Sequence, residues 1–326
     1  MRFFFTLLFL ATISSSFSQQ IYKRTLKLMG SRFDITVVEK DKTTANQSID
    51  IAVEEIQRIE KLISSWDKNS QTSLINNNAG INPVKVDAEL FDLIFRAIQI
   101  SKLTDGAFDI SYASMDRIWK FDNSMKEMPS EEEIKASVAR VGYKYIVLDK
   151  KKSTVFLTQK GMKIGFGAIG KGYAADKAKN LLISKGVKAG IINASGDMNT
   201  WGKQPDESEW KVAITNPLNK NNAFALLPVV EKAVVTSGNY EKYVILDGKR
   251  YSHIIDPRTG YPSTGIVSAT VFAPKAELAD ALATSVFVMG IETGLNRINQ
   301  LKGIECIIID DQGNIYTSDH IKIDNK

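Results

Sequence analysis

Cysteine and histidine are nearly absent from this chain, which holds one cysteine, Cys306, and two histidines, His253 and His320, among 326 residues. A single cysteine cannot form an intramolecular disulfide, and it excludes metal sites that need a cluster of cysteines. Two histidines also argue against a multi-histidine metal centre. Oxygen ligands are therefore the main option for any metal that this chain binds.

A concentrated positive charge is also missing. Forty-two Lys and Arg against thirty-seven Asp and Glu leave a net charge of +5, and the longest basic run is Lys150–Lys152. A nucleic-acid-binding protein usually gathers its positive charge on one patch, so we expect no nucleic-acid partner. With 44% hydrophobic and 24% charged residues, the composition is that of a globular protein, which excludes disordered and collagen-like chains.

The N-terminus differs from the rest of the chain. Arg2 precedes the apolar run Phe3–Ala11, and small polar residues follow at Ser14–Ser18. This order is typical of a secretory signal peptide, and the run is short of the roughly 20 residues that a membrane-spanning helix needs. We predict a signal peptide over 1–18, a single exported domain over 19–326 and no transmembrane segment. The alternative is a buried N-terminal strand or helix.

Hydrophobic spacing predicts a mixed α/β fold. Residues 27–39 end in a β-branched run that indicates a strand, and residues 46–64 have the apolar spacing of an amphipathic helix. Short connections between the elements favour partly antiparallel sheets flanked by helices. Further helices are predicted over 88–103, 130–140, 170–185, 276–289 and 291–301, and further strands over 144–149, 153–158, 188–193, 210–215, 223–230, 242–247, 266–273 and 304–310.

A glycine-rich loop, Gly165–Gly172, is the first chemical motif. It fits the letters of a dinucleotide fingerprint and nearly those of a P-loop. The acidic residue that a Rossmann unit needs about 20 positions later is absent, and Gly172 replaces the P-loop hydroxyl. Two interpretations remain: a helix N-terminus that binds an anion, or a tight turn whose glycines serve packing.

Two further motifs carry paired polar side chains. Asp105 and Asp109 flank a glycine, so they either bind a metal or ligand or cap two successive elements. The segment Asn193–Asp197 follows an apolar strand, where it either carries a ligand or forms a turn.

Two candidates for chemistry lie in the last third of the chain. His253 is predicted at the end of a strand, where it is either functional or structural. Asp280 and Thr284 lie four residues apart on one predicted helix face, and their oxygen atoms suit magnesium. The alternative is that Asp280 only complements the helix dipole while Thr284 packs.

The order of these motifs resembles that of the ApbE family of flavin transferases (FAD:protein FMN transferases), over about residues 25–301. The matching blocks are Met29–Ser31, Ser64–Trp66 with Ser70 and Asn76, Asp105–Asp109, Gly167–Asp176, Asn193–Asp197, Thr236–Tyr240, Tyr251–Gly260 and Ala279–Thr284. The resemblance implies an ApbE-like fold.

The resemblance also implies the site residues. Magnesium would be bound by the side chains of Asp280 and Thr284 and the carbonyl of Ala168, and His253 is the candidate catalytic acid–base group. Many relatives carry an acidic residue where this chain has Gly165, which calls one hydrogen bond to FAD into question. The FAD contacts implied are Met29, Trp66, Ala107, Phe108, Asp109, Gly165, Lys171, His253 and Ile254.

The implied reaction is the magnesium-dependent transfer of FMN from FAD to a Ser or Thr hydroxyl of an acceptor protein, with release of AMP. The acceptor implied is an extracytoplasmic domain of a membrane redox protein, so the enzyme would act in the periplasm or at the extracytoplasmic face of the inner membrane. Alternatives are an FAD pyrophosphatase using the same site, an exported flavin-binding protein without turnover, and, from the glycine pattern alone, a nicotinamide dehydrogenase.

Overall fold

The computed structural model describes residues 19–122, 124–216, 219–239 and 242–321, with the side chains of 214–226 left out of the description. The predicted signal peptide, residues 1–18, lies outside the described residues, as does Tyr240. The chain contains both helices and antiparallel strands in mixed order, which confirms the mixed α/β prediction.

The helices and strands have the following bounds. The helices are α1 Lys42–Ile63, α2 Gln71–Asn77, α3 Ala88–Leu103, α4 Glu131–Ser137, α5 Gly170–Ser184, α6 Ala276–Met289 and α7 Ile291–Asn299. The strands are β1 Gln20–Leu28, β2 Ser31–Glu39, β3 Val84–Lys85, β4 Ile146–Asp149, β5 Thr154–Leu157, β6 Gly190–Ala194, β7 Asp197–Trp201, β8 Trp210–Asn216, β9 Asn219–Val229, β10 Ala233–Gly238, β11 Tyr243–Leu246, β12 Lys249–Ser252, β13 Ile266–Ala273, β14 Glu305–Asp310 and β15 Ile315–Thr317.

The principal sheet has the strand order β1-β2-β6-β7-β10-β13-β14-β15. Each neighbouring pair of strands in this sheet is antiparallel. The sequence predicted sheets that are only partly antiparallel. Because a Rossmann unit is built from parallel strands, this part of the chain offers no support for a nicotinamide dehydrogenase. Helix α6 packs on β10 and β13, and α5 packs against both α1 and α6.

Local sequence explains the helices that support the site. Asp41 caps α1 by accepting a 2.8 Å hydrogen bond from the Thr44 N–H. The buried face of α1 repeats at intervals of three and four from Ala45 to Ile63, and each isoleucine buried there contributes about 1.5–3 kcal/mol. In α6 nearly every residue from Ala276 to Phe287 is buried, so this helix crosses the core.

The predicted strand over 27–39 is wrong in its first residues. Met29 and Gly30 both have positive φ, at 49° and 69°, and form the turn between β1 and β2. Sequence analysis also missed the strands β1, β3, β7, β10, β12 and β15 and the short helix α2. In the described part of the chain, no helix is both long enough and apolar enough to cross a bilayer.

Candidate active site

One cavity of about 990 Å³ opens beside the N-terminus of α5 and the middle of α6. Its walls come from the loop after α1, the segment that follows α3, the glycine loop, the end of β10 and the residues after β12. It brings together most of the residues that the resemblance implies: Trp66, Ala107, Phe108, Asp109, Ala168, Lys171, His253, Ile254, Asp280 and Thr284.

Lys171 and two buried carboxylates form the charged end of this cavity. The Lys171 ammonium lies against the carboxylate of Asp197. Burial and the charge of Asp280 raise the pKa of Asp197 to about 7, although Lys171 lowers it. Burial lowers the pKa of Lys171, but the charges of Asp280 and Asp197 outweigh it and raise that pKa above its ordinary value. Lys171 is therefore held in its charged form between the two carboxyl groups.

Sequence analysis assigns no role to Asp197. Ser195 and Gly196 form the turn between β6 and β7, with φ of 60° and 103°, so the segment Asn193–Asp197 contains a turn. Asp197 also lines the cavity, and the ligand interpretation stays a prediction. Asp197 begins β7 directly after the turn and is buried, with 2% of the residue exposed. The one local signal for a functional role of Asp197 is its position as an acidic residue at the start of a strand, directly after a Ser-Gly turn.

The residues implied as metal ligands present oxygen atoms to the same cavity. Asp280 is buried and accepts a 3.2 Å hydrogen bond at Oδ2 from the Gly172 N–H. The Thr284 hydroxyl, one turn further along α6, lies 3.3 Å from the hydroxyl of Ser237. Burial raises the pKa of Asp280, against the opposing charge of Lys171. A cation beside this carboxylate would replace the solvation that burial removes.

This donor set fits a hard divalent cation such as magnesium. Asp280, Thr284 and Ala168 all line the cavity, and they carry a carboxylate, a hydroxyl and a backbone carbonyl oxygen respectively. Within the described ranges, no group of three or more His, Cys, Asp or Glu side chains could hold a metal. Any dication at this site therefore depends on hydroxyl and carbonyl oxygens and on the substrate, as magnesium commonly does.

Asp109 is a structural cap. Its carboxylate accepts hydrogen bonds from the Ser111 N–H at 2.8 Å, the Ser111 hydroxyl at 2.7 Å and the Tyr143 N–H at 2.6 Å. It thereby starts the 3-10 helix Ile110–Ser114. Asp105 instead pairs with Arg297 at 2.9 Å. The two carboxylates have separate partners, so the capping interpretation accounts for Asp109, which still lines the cavity wall.

His253 lies in the cavity wall after β12. Its Nδ1 is 3.1 Å from the carbonyl oxygen of Lys242. Because a carbonyl only accepts, Nδ1 is the protonated nitrogen of the neutral ring and Nε2 carries the lone pair. Partial burial lowers the pKa of His253 below 6.5, although the Lys242 carbonyl opposes the shift. At neutral pH the ring is therefore uncharged and able to accept a proton.

Trp66 stands at the rim of the cavity. Its side chain is 79% exposed, and the Arg117 guanidinium lies 5.1 Å from its ring centroid. The Ser64 hydroxyl accepts hydrogen bonds from the N–H groups of Trp66 and Asp67 and so fixes the turn. An exposed indole held in this way offers a flat apolar surface to another planar ring.

Met29 and Gly165 do not line the cavity. Met29 donates its N–H to Glu60 at 3.1 Å, and its side chain packs against the core. Gly165 donates its N–H to the Ile110 carbonyl at 2.8 Å. A Cβ at Gly165 would lie 3.1 Å from the Ala113 Cβ, so the loop leaves little room for a side chain there. Contacts of FAD with these two residues stay predictions.

The glycine loop serves close packing. Helix α5 begins at Gly170, and two of its first three N–H groups already have partners: Gly170 donates to the Phe166 carbonyl at 2.6 Å and Gly172 donates to Asp280. The anion-binding interpretation of this N-terminus stays a prediction. A Cβ at Gly170 would lie 2.8 Å from Ile63 Cδ1, and one at Gly172 would lie 2.2 Å from the Ala276 carbonyl oxygen. These glycines thus allow close packing, while Lys171 between them reaches the cavity.

The comparisons with known proteins agree with this geometry. The ApbE family model matches residues 29–308. An FAD:protein FMN transferase of Klebsiella pneumoniae is 32% identical over 301 residues, covering 92% of each chain, and one of Treponema pallidum is 31% identical over 88% of this chain and 84% of its own. The ApbE protein of Thermotoga maritima has a similar structure, with a TM-score of 0.83 and 32% identity over 92% of this chain and 97% of its own.

A second solved structure, the apo flavinyl transferase ApbE of Pseudomonas stutzeri, aligns with a TM-score of 0.81 and 26% identity over 92% of this chain and 95% of its own. Fold and site together define a transferase of the flavin-transferase class. The chain belongs to the ApbE family.

Proposed function

We propose that this chain transfers FMN from FAD to a Ser or Thr hydroxyl of an acceptor protein, in the presence of magnesium, and releases AMP. The observation that carries the proposal is the cavity itself. One space joins an exposed indole at its rim, a neutral histidine in its wall, and Lys171 beside the oxygen donors of α6. A flavin, an attacking hydroxyl and a diphosphate need these three environments.

The reaction is a phosphoryl transfer at the diphosphate of FAD. The acceptor oxygen forms a bond to the phosphorus of the FMN half while the bond from that phosphorus to the bridging oxygen breaks. The hydroxyl proton passes to Nε2 of His253, and AMP leaves with the bridging oxygen on its phosphate. A phosphoester joins FMN to the acceptor.

Positive potential stabilises the negative charge that develops on AMP. Lys171 supplies a charge that its partner Asp197 partly offsets, and the N-terminus of α5 adds the partial positive charge of the helix dipole. Asp280, Thr284 and Ala168 would hold magnesium, which when bound neutralises charge on the diphosphate.

The sequence of the N-terminus supports export, and we propose a periplasmic or extracytoplasmic location for the mature chain. The acceptor proposed is an extracytoplasmic domain of a membrane redox protein, carrying a reactive Ser or Thr. Both proposals depend on the signal pattern at 1–18 and on the resemblance, and co-expression with such domains would test them.

Mass spectrometry of a purified candidate acceptor tests the activity. The chain is incubated with FAD, magnesium and the acceptor, and both the acceptor mass and the AMP released are measured. An FMN adduct together with AMP is the expected result. Free FMN and AMP without an adduct would instead indicate a pyrophosphatase, and no AMP after long incubation would indicate a flavin-binding protein. An acceptor with its Ser or Thr changed to Ala is the matched control.

A further inference from the structure

Gly167, in the loop before α5, makes room for the side chain of Tyr112. A Cβ at Gly167 would lie 2.4 Å from the Tyr112 hydroxyl oxygen, whereas a Cβ at Gly165 would lie 3.5 Å from it, which is an ordinary contact. Neither glycine has a positive φ, so backbone conformation does not require glycine at either position. The space taken by the phenol does explain Gly167, because a distance of 2.4 Å is a collision.

The hydroxyl of Tyr112 accepts a hydrogen bond but donates none to the described residues. It accepts a 3.2 Å hydrogen bond from the Gly167 N–H, which is the one bond it makes to the described residues. A phenol that accepts one bond still has its own proton to donate. The side chain is 38% exposed and lines the cavity, so a ligand there can reach this proton.

That proton stays in place at physiological pH, because a phenol loses it only at about pH 10. The hydrogen bond holds the hydroxyl beside Gly167. Gly167 precedes Ala168 directly and lies three residues before Gly170, where α5 begins. This is the part of the cavity in which the proposed reaction needs the diphosphate.

We propose that Tyr112 is a substrate-binding residue that donates its hydroxyl proton to a diphosphate oxygen of FAD, and that Gly167 lacks a side chain in order to seat it. This inference rests on the proposed substrate and adds a residue to its site. Diphosphate oxygens accept hydrogen bonds and do not donate them, so they complement a hydroxyl that has already accepted one.

Equilibrium binding of FAD and of riboflavin to Tyr112→Phe tests the inference. The substitution removes the hydroxyl alone, and riboflavin carries the same ring system without phosphate. We expect the Kd for FAD to rise about tenfold, as for the loss of a hydrogen bond to a charged group, and the Kd for riboflavin to stay within about twofold. Unchanged FAD affinity, or an equal loss for both ligands, would overturn the proposal.

Gly167→Ala supplies the second variant. Its methyl group displaces the hydroxyl in the wild-type background, so FAD affinity should fall as in Tyr112→Phe. In the Tyr112→Phe background the same methyl lies 3.6 Å from the ring carbon Cζ, an ordinary contact. We expect little further loss there. An equal loss in both backgrounds would show that Gly167 acts independently of Tyr112. Because binding is measured without acceptor, failure of FMN transfer leaves this test intact.

Discussion

The carboxylate of Asp280 accepts a 3.2 Å hydrogen bond from the backbone N–H of Gly172. This bond joins the middle of α6 to the first turn of α5, one residue after Lys171. The two helices meet so closely that a Cβ at Gly172 would lie 2.2 Å from the carbonyl oxygen of Ala276. The same glycine therefore supplies the N–H that orients Asp280 and the space that lets the helices approach.

Gly172→Ala should destabilise the protein and abolish its activity. The atoms that its methyl group meets belong to the backbone of α6, which cannot move aside as a flexible side chain would. We expect a loss of about 1–3 kcal/mol in the free energy of unfolding, measured by denaturant titration. Asn180→Ala, at an exposed position of the same helix, is the control and should retain both stability and activity. A fully active Gly172→Ala would contradict the close packing.

Asp280→Ala should abolish magnesium-dependent FMN transfer while FAD still binds. The substitution removes the buried carboxylate that faces the proposed cation site and leaves Trp66 and the cavity rim untouched. AMP release is measured across a range of magnesium concentrations, and FAD binding is measured separately. Glu292→Ala, at an exposed position in the first turn of α7, is the control. Undiminished transfer by Asp280→Ala, with magnesium as the sole metal, would refute the assignment.

Lys171→Met should lower stability because it leaves Asp197 and Asp280 buried without a cation. Removing one partner of a buried ion pair typically costs about 3–5 kcal/mol. The double variant Lys171→Met/Asp197→Asn should recover much of this loss, since one of the two uncompensated charges is gone. Thermal unfolding of the wild type, both single variants and the double variant completes the cycle. A double variant whose loss of stability equals the sum of the losses of the two single variants would show that the pair is not coupled.

The pH dependence of transfer should report His253. Partial burial lowers the pKa of its ring below 6.5, so the neutral form that accepts a proton persists to more acidic pH than for a free histidine. The folded state favours that neutral form, and its contribution to stability is complete above 6.5 and is lost as pH falls through the lowered pKa. We expect activity to be flat near neutral pH and to fall below it. His253→Gln should be slower and should lack this acid limb, and an unaltered limb would exclude His253 as the base.

Sequence patterns predicted the elements whose burial follows a local period. The predicted bounds of α3, α6 and β13 match the structure because each is a long apolar or amphipathic run. Strand β7 escaped prediction because Asp197 and Asn199 are buried polar residues. They are satisfied by Lys171 and Lys179, which lie on another element.

The same distinction separates the site residues. Asp280 and Thr284 are neighbours on one helix face, so their spacing made them candidate oxygen ligands, beside the alternative that Asp280 complements the helix dipole. Tyr112 meets Gly167 across 55 positions of sequence. Nothing in the residues next to Tyr112 indicates that contact, since only the packing of the glycine loop against the 3-10 helix creates it.

Asp176 connects three elements that each carry a residue of the site. It lies on α5, which carries Lys171, and it accepts hydrogen bonds of 2.9 Å from the N–H groups of Ala276 and Glu277 at the start of α6. It also accepts a 2.5 Å bond from the side chain of Asn199 on β7. The position of α6 relative to α5 and β7 therefore depends on this carboxylate.

Asp176→Asn should impair the use of magnesium in addition to stability. The amide NH2 group of asparagine cannot accept a hydrogen bond from the backbone N–H groups at the start of α6. At least one buried donor would therefore be unpaired, at a cost of about 1–3 kcal/mol. We expect a lower kcat and a higher magnesium concentration for half-maximal activity, both measured on the folded fraction. Asp310 holds the turn between β14 and β15 in a similar way, by accepting bonds from Gln312 and Asn314. Asp310→Asn should lower the Tm and leave the magnesium dependence unchanged. If Asp176→Asn also lowered the Tm without changing the magnesium dependence, the role of Asp176 would be purely structural.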